Sequence, residues 1–254
     1  MDKKWTPRLY FLSLLALGIS GLYYGRYEQE QNYHQFADNR MFLGIPNGID
    51  VMSNLAIVFP GIAGIAFVHE RQKNKYQWAD SFEPTILYCL FFGMILTFFG
   101  SVWFHLDPNN STLVWDRLGM VIIMACYCSL IIFDRFDSNL AGNIHFPLII
   151  IGFSSVLVWQ YFDDLRFYFL FKVQVFFLVL ILLKYGNKSY DRAKDYLLSL
   201  ALFGLATVFE FTDEIVFDTL VIISGHSLKH IFAGVGLWWI MAMTRDRTLI
   251  GNLE

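Results

Sequence analysis

Two short histidine-containing motifs hold the residues best suited to chemistry. The motif His226-Ser-Leu-Lys-His230 places two imidazoles at positions i and i+4, so that one helix can offer two nitrogens to one metal ion. The motif Ser101-Val-Trp-Phe-His105 places a hydroxyl and a third imidazole on one face of another helix. Three histidine nitrogens with an open fourth position are the ligand set of a catalytic zinc ion. Together the motifs predict a zinc site at His105, His226 and His230.

Two further side chains could assist a metal in this place. Asp116, one loop after His105, is free for proton transfer, and Ser101 is free to contact an oxyanion. Simpler interpretations exist: a membrane histidine often hydrogen-bonds a neighbour, a serine bonds its own backbone, and Asp116 can pair with Arg117 or cap its helix. The joint order of the motifs favours the metal site over separate structural roles.

The composition places these motifs in a membrane. The 254 residues are 56% hydrophobic and 16% charged, and the mean hydropathy of +0.46 is well above that of a soluble domain. The net charge of -3, without a long basic run, excludes a nucleic-acid partner. Three cysteines in apolar stretches, without C-x-x-C spacing, encode no disulfide framework.

Eight apolar segments are long enough to cross a bilayer, for which about 20 residues are needed. They fall near residues 7–24, 48–68, 84–105, 113–133, 145–162, 167–184, 195–213 and 219–243. The first lacks a clear cleavage site, which favours a retained helix over a signal peptide. We therefore predict an all-α, polytopic transmembrane bundle of eight spans, with a cytoplasmic tail at 246–254.

The distribution of lysine and arginine predicts the orientation. With the N-terminus in the cytoplasm, thirteen of these residues lie on the inner side and only Arg26, Arg40 and Arg166 on the outer side. An even number of spans then leaves both termini in the cytoplasm. The three histidines, Ser101 and Asp116 all fall in the outer half of the bilayer, which suggests a site facing the outer leaflet of a plasma or inner membrane.

In their order and their positions in the helices, these residues resemble the CREST superfamily of seven-helix membrane hydrolases, most closely its alkaline ceramidase branch. The resemblance is carried by Pro46-Asn-Gly-Ile-Asp-Val-Met-Ser-Asn54, Gly100-Ser-Val-Trp-Phe-His105, Asp116 and Gly225-His-Ser-Leu-Lys-His230. It covers residues 45–245 as a seven-helix core. Residues 1–44 remain as an additional N-terminal helix and outer loop.

The resemblance implies a function for each of these side chains. His105, His226 and His230 would hold Zn²⁺, Asp116 would serve as the base, and Ser101 would help to hold the oxyanion. The partner would be a membrane lipid, a ceramide or a related N-acyl lipid, whose amide is hydrolysed to a sphingoid base and a fatty acid.

One region departs from the pattern of eukaryotic alkaline ceramidases, which build a calcium site from an acidic stretch. Here the corresponding residues are Phe36-Ala-Asp-Asn-Arg40 and, seven positions before Asn54, Asn47. Oxygen ligands remain on Asp38, Asn39, Asn47 and Asp50, with less negative charge than Ca²⁺ usually draws. These four residues form either a calcium site or a set of structural hydrogen bonds. Lys229, between the histidines, is expected to pair with Glu210 or Asp213.

Two other functions compete with the hydrolase. A progestin and adipoQ receptor or a haemolysin III-like protein belongs to the same superfamily and shares the metal pattern, but the Ser53-Asn54 pair and the Gly225–His230 motif favour the ceramidase branch. A proton-coupled transporter would use the histidines and Asp116 as a relay. No inverted repeat is apparent in the sequence to support transport.

Overall fold

A computed structural model describes residues 25–76, 78–186 and 190–250, together with positions 12, 16, 18, 19, 21 and 23. The predicted first span at 7–24 and the end of the predicted tail therefore lie largely outside the described residues. Within those ranges the chain is helical and forms no β-strand. The predicted all-α class is confirmed.

The described ranges contain nine α-helices, after a short 3-10 turn at Gln31–His34. They are α1 (Gly48–Ser53), α2 (Leu55–Lys73), α3 (Glu83–Leu106), α4 (Asn110–Arg135), α5 (Ser138–Phe162), α6 (Arg166–Tyr185), α7 (Ala193–Phe211), α8 (Asp213–Leu220) and α9 (Gly225–Asp246).

Five helical segments are long and apolar enough to cross a membrane. They are α1 with α2 as one segment (Gly48–Lys73), α3, α4, α5 and α6; α8 with α9 qualifies as a sixth, broken span. Helix α7 is comparable in length but carries Lys194, Asp195 and Glu210. The polytopic character follows from length and composition, while the total of eight spans stays a prediction.

Polar caps set two helix starts that the apolar pattern misses. Helix α5 begins at Ser138, seven residues before the predicted start at 145, because the Asp137 side chain accepts a hydrogen bond from the Leu140 N–H at 2.7 Å. Helix α4 begins after Asn109, which forms a capping box with Thr112.

The predicted eighth segment is not one helix. The helix is interrupted between Leu220 and Gly225, and the axes of α8 and α9 meet at an angle of 105°. Val221 adopts a left-handed backbone (φ 63°), and Ser224 caps α9 by accepting a hydrogen bond from the Ser227 N–H. As a result His226 lies in the first turn of its helix, not two turns in as the prediction of one helix over 219–243 required.

The helices close into a ring. Each of α2 to α5 packs against the next in sequence, α6 packs on α4, and α9 packs against both α7 and α2. Most of the α4 span is buried inside the bundle, and its side chains join the largest apolar core. The closure brings the start of α9 beside the end of α3, where the two histidine motifs lie.

Candidate metal centre

The structure brings the three predicted histidines together in one buried group. One ring nitrogen from each of His105, His226 and His230 lies within 4.8 Å of the others. The ring centroids are 4.9 to 5.0 Å apart and all three side chains are buried. This is a set of three imidazoles that can hold one metal ion. We call it the histidine cluster.

Two glycines allow the helices that carry the cluster to approach closely. A Cβ on Gly100 would lie 2.3 Å from the Trp115 carbonyl oxygen, so α3 and α4 touch backbone to backbone beside Ser101. A Cβ on Gly234 would lie 2.4 Å from the Ala56 carbonyl oxygen, so α9 touches α2 one turn beyond His230. Any larger side chain at either position would separate these helices.

The start of α9 is fixed by hydrogen bonds to two carboxylates. Asp213 Oδ1 accepts a hydrogen bond from the His226 N–H at 2.7 Å, across the interruption between α8 and α9. Asp50 Oδ1 accepts hydrogen bonds from the hydroxyls of Ser224, at 2.8 Å, and Ser227. The capping residue of α9 is therefore itself tied to α1. These bonds hold the first turn of α9, and with it His226, in place.

The ring nitrogens of the cluster are satisfied to different degrees. Neither ring nitrogen of His105 has a hydrogen-bond partner among the described residues, although both are buried. His230 Nδ1 is hydrogen-bonded to the Ser53 hydroxyl at 2.8 Å, which leaves Nε2 for a ligand and orients the ring. Buried polar atoms are rarely left without a partner. The donor set therefore fits a metal ion bound by all three imidazoles.

Lys229 contacts the imidazole of His226. Its Nζ lies 2.8 Å from His226 Nε2 and 3.1 Å from Glu210 Oε1. Glu210 in turn accepts a hydrogen bond from the Tyr33 hydroxyl at 2.9 Å. The expected pairing of Lys229 with an acid is thus found, with Glu210 as that acid. Because an ammonium repels a metal cation, Lys229 opposes ligation at His226 Nε2 unless it turns fully towards Glu210.

An aromatic side chain that the sequence motifs do not include covers the cluster. The Phe36 ring centroid is 4.5 Å from that of His105 and 4.9 Å from that of His226, and Phe36 is buried. Phe36 lies in the loop before α1, far from the helical periodicity on which the motifs depend. Its place two positions before Asp38, in the stretch considered for calcium, was the only sequence signal near it.

Asp116 and Ser101 lie near each other, with Ser101 one helical turn before His105 on α3. Both side chains are buried. Asp116 is not a member of the three-His group. The simpler interpretations of Asp116 do not hold: the cap of α4 is Asn109, and the Arg117 guanidinium instead donates to Gln29 at 2.6 Å and stacks on Trp159.

Three of the four residues considered for calcium make separate structural contacts. Asp38 is bound by two Arg40 nitrogens, each at 2.7 Å, and the Asn47 side chain donates to the His105 carbonyl oxygen at 2.8 Å. Asp50 accepts from the serines of α9. The Arg40 hydrogen bonds hold the pKa of Asp38 below its usual value. For Asp38, Asn47 and Asp50 these contacts match the structural alternative; calcium binding, and any role of Asn39, stay predictions.

No protein-family model matches the chain, and a comparison with curated proteins finds no match. The assignment of function therefore depends on the residues and geometry of the site.

Proposed function

We propose that this chain is an integral-membrane, zinc-dependent hydrolase that cleaves the amide of a ceramide or a related N-acyl lipid. The observation that carries the proposal is the buried three-His cluster, in which His105 keeps two unpartnered ring nitrogens. The resemblance of the motifs to alkaline ceramidases supports the substrate class. Zinc is proposed over other metals because three imidazoles with an open position suit its catalytic sites.

The side chains around the cluster supply the remaining chemistry. When bound, Zn²⁺ contributes Lewis acidity, which polarises a carbonyl and acidifies water. Asp116 accepts the proton that the attacking water loses and passes it to the amide nitrogen as the C–N bond breaks. Ser101 donates a hydrogen bond to the carbonyl oxygen as it gains negative charge. Hydroxyl from water goes to the acyl carbon, giving the fatty acid, and the proton goes to the departing amine.

An apolar groove beside the cluster suits an acyl chain. It lies between α2 and α9, has a volume of about 550 Å³, and begins within one turn of His230. Its lining is almost entirely apolar: Ala56, Phe59, Pro60, Ile62, Ala63, Gly234, Val235 and Trp238.

Metal analysis of the detergent-purified protein tests the proposal. We expect about one zinc per chain, lost in both His226→Ala and His230→Ala. His69→Ala is the matched control, because His69 is exposed on α2 and should leave the zinc content unchanged. Zinc-free, folded wild type would contradict the mechanism.

Fatty-acid release from a series of N-acyl lipids then tests the substrate. We expect release by the zinc-loaded wild type and at least about a hundredfold less by Asp116→Asn. A zinc-loaded protein that is inactive on every ceramide and N-acyl lipid would contradict the substrate class while leaving the metal site intact.

We also propose eight spans, with both termini in the cytoplasm and the cluster in the outer half of the bilayer. The excess of lysine and arginine on one side supports this orientation. A cysteine introduced at exposed Ser111 should react with an impermeant reagent in intact cells, whereas one at exposed Gln72 should react only after permeabilisation. The reverse pattern would contradict the orientation.

One observation favours a proton-coupled transporter as the second candidate. His226, Lys229, Glu210 and Tyr33 form a continuous chain of hydrogen bonds of 2.8, 3.1 and 2.9 Å. Such a chain can relay protons. This function predicts proton flux in vesicles without a stoichiometric metal, so the metal analysis separates it from the hydrolase.

A further inference from the structure

A recess with several charged side chains in its lining lies at the end of the bundle opposite the histidine cluster. It has a volume of about 500 Å³ and lies where α4 ends and α7 begins. Its lining residues are Arg135, Tyr190, Asp191, Arg192, Ala193, Lys194, Asp195 and Ile250. Because α4 starts beside His105 and runs the length of the bundle to Arg135, the recess is separate from the proposed catalytic site.

Arg135 is the unusual member of this lining. It is only 2% exposed, and its Nε and Nη2 have no hydrogen-bond partner among the described residues. Of the adjacent Asp134 carboxylate, Oδ2 is occupied by Arg247 and by the Tyr196 hydroxyl, while Oδ1 has no partner among the described residues and makes no hydrogen bond to Arg135. Burial of a guanidinium without an acceptor is costly. An anion in the recess would remove that cost.

The first turn of α7 adds a second source of positive potential. Arg192, the residue before this 19-residue helix, has a left-handed backbone (φ 60°) and makes no side-chain capping hydrogen bond. The N–H groups of the first turn therefore lack a side-chain acceptor, and the helix dipole favours negative charge at this end. A helix N-terminus with a basic side chain opposite is a common arrangement for binding phosphate.

The two carboxylates that line the recess have partners. Asp191 accepts hydrogen bonds from the Thr248 N–H and hydroxyl, at 2.9 and 2.8 Å. Asp195 accepts from Arg192 Nε, which also lines the recess, and from Trp239 Nε1, the latter at 3.1 Å. Lys194 is exposed at the rim. With three basic and two acidic side chains, the lining keeps a net charge of +1.

We propose that this recess binds a phosphate group, held by the Arg135 guanidinium, the first turn of α7 and Lys194. Arginine is suited to this task because its planar N–H groups match phosphate oxygens in pairs. The phosphate could belong to the headgroup of an anionic phospholipid, because the recess lies at an end of the bundle, or to a soluble phosphate compound. The inference does not depend on the proposed hydrolase activity.

The test uses the full chain in nanodiscs, with phosphatidylglycerol or inorganic phosphate as the probe. In phosphatidylcholine nanodiscs we expect one of the two probes to raise the thermal unfolding midpoint of the wild type in a saturable manner. Lys194→Gln should weaken the binding about fivefold, and Arg135→Gln about tenfold or more. Lys73→Gln, an exposed lysine at the same end of the bundle, is the matched control and should bind as the wild type does.

The outcomes distinguish the sources of the phosphate. Saturation by phosphatidylglycerol alone identifies a lipid headgroup, and saturation by inorganic phosphate identifies a soluble compound. No response to either probe, or equal weakening by Lys194→Gln and Lys73→Gln, would overturn the proposal, because only general attraction to the membrane would remain. If Arg135→Gln does not fold, the comparison of the two lysine variants decides. Unchanged zinc content in Lys194→Gln would show that the two sites are independent.

Discussion

The two ends of the bundle bury polar side chains in contrasting ways. At one end Arg247 donates to both Asp134 and Glu83, and these three side chains, the arginine cluster, are only 1 to 2% exposed. At the other end the histidine cluster leaves both ring nitrogens of His105 without partners among the described residues. Glu83 and Asp134 also accept the hydroxyls of Tyr190 and Tyr196. Ion pairs of this kind hold helices together, even though Asp134 Oδ1 has no partner in the described part of the chain, whereas the unsatisfied nitrogens of His105 can take a ligand.

This contrast teaches where stability and function should separate under mutation. Removal of a partner from the arginine cluster leaves a buried charge uncompensated. Removal of an imidazole from the histidine cluster removes a ligand but leaves no new unpaired charge. We therefore expect the first kind of variant to unfold the protein. We expect the second kind to leave the protein folded but without its metal ion.

The largest expected effect is that of Arg247→Met. It leaves Asp134 and Glu83 buried without their cation and should cost about 3–5 kcal/mol of stability. Unfolding in detergent followed by circular dichroism measures this cost. Arg245→Met is the control, because Arg245 is about half exposed and, among the described residues, its side chain pairs only with Asp246. It should change stability by less than about 1 kcal/mol. Equal effects of the two variants would break the comparison.

Gly100→Ala should have the next largest effect. The new Cβ would meet the Trp115 carbonyl oxygen at 2.3 Å, so α3 must move away from α4, at a cost of about 1–3 kcal/mol. Because Ser101 and Asp116 flank this contact, activity should fall further than stability alone explains. In Gly204→Ala the Cβ meets nothing within 4 Å, and this helical position should become more stable by up to about 1 kcal/mol. Thermal midpoints and turnover of both variants provide the measurement.

Lys229→Met sharpens the view of the histidine end. Removal of an ammonium 2.8 Å from His226 Nε2 should raise zinc affinity about tenfold, since a cation no longer opposes the metal. Glu210→Gln should act in the opposite direction, because Lys229 then loses the acid that draws it away from the imidazole. Competition with a zinc chelator measures both affinities. Weaker zinc binding in Lys229→Met would show that this lysine supports the site.

The smallest expected effect concerns pH. Arg40 lowers the pKa of Asp38 below its ordinary value of 3.8, so the pair stabilises the fold above that pH and this contribution is lost as the pH falls through the lowered pKa. Asp38→Asn should therefore flatten the acid side of the stability profile below about pH 4. Asp107→Asn, at an exposed acid with no charged partner among the described residues, is the control. The profiles are measured with chelator present, so that zinc release does not contribute.

The sequence predicts the histidine cluster because helical spacing and the alternation of spans are local properties. The sequence shows two histidines at i and i+4 on one helix and a third at the outer end of another helix. The number of spans between them then decides that all three lie on the same side of the membrane. The same reasoning failed at residues 221–224, where apolar Val221, Ile222 and Ile223 continue the hydrophobic run although the backbone turns. It also gave no sign that Arg247, in the predicted tail, is buried, because its partners Glu83 and Asp134 lie on distant helices.

The other contacts at the site could not be predicted from the sequence, because they also join residues that are distant along the chain. Phe36 and Ser53 reach the histidines from the loop before α1 and from α1 itself. Asp213 fixes His226 across a bend. Each of these contacts depends on how the ring of helices closes, which a pattern within one segment does not encode.

The division of the histidine cluster between α3 and α9 has a consequence for biosynthesis. His105 is synthesised well over a hundred residues before His226 and His230, and α9 reaches it only when the ring closes on α2. A nascent chain that has inserted its earlier helices therefore offers only one imidazole of the cluster, that of His105, and one imidazole alone retains zinc poorly. Tight binding of the metal would therefore occur only after α9 has been inserted and has packed against the earlier helices.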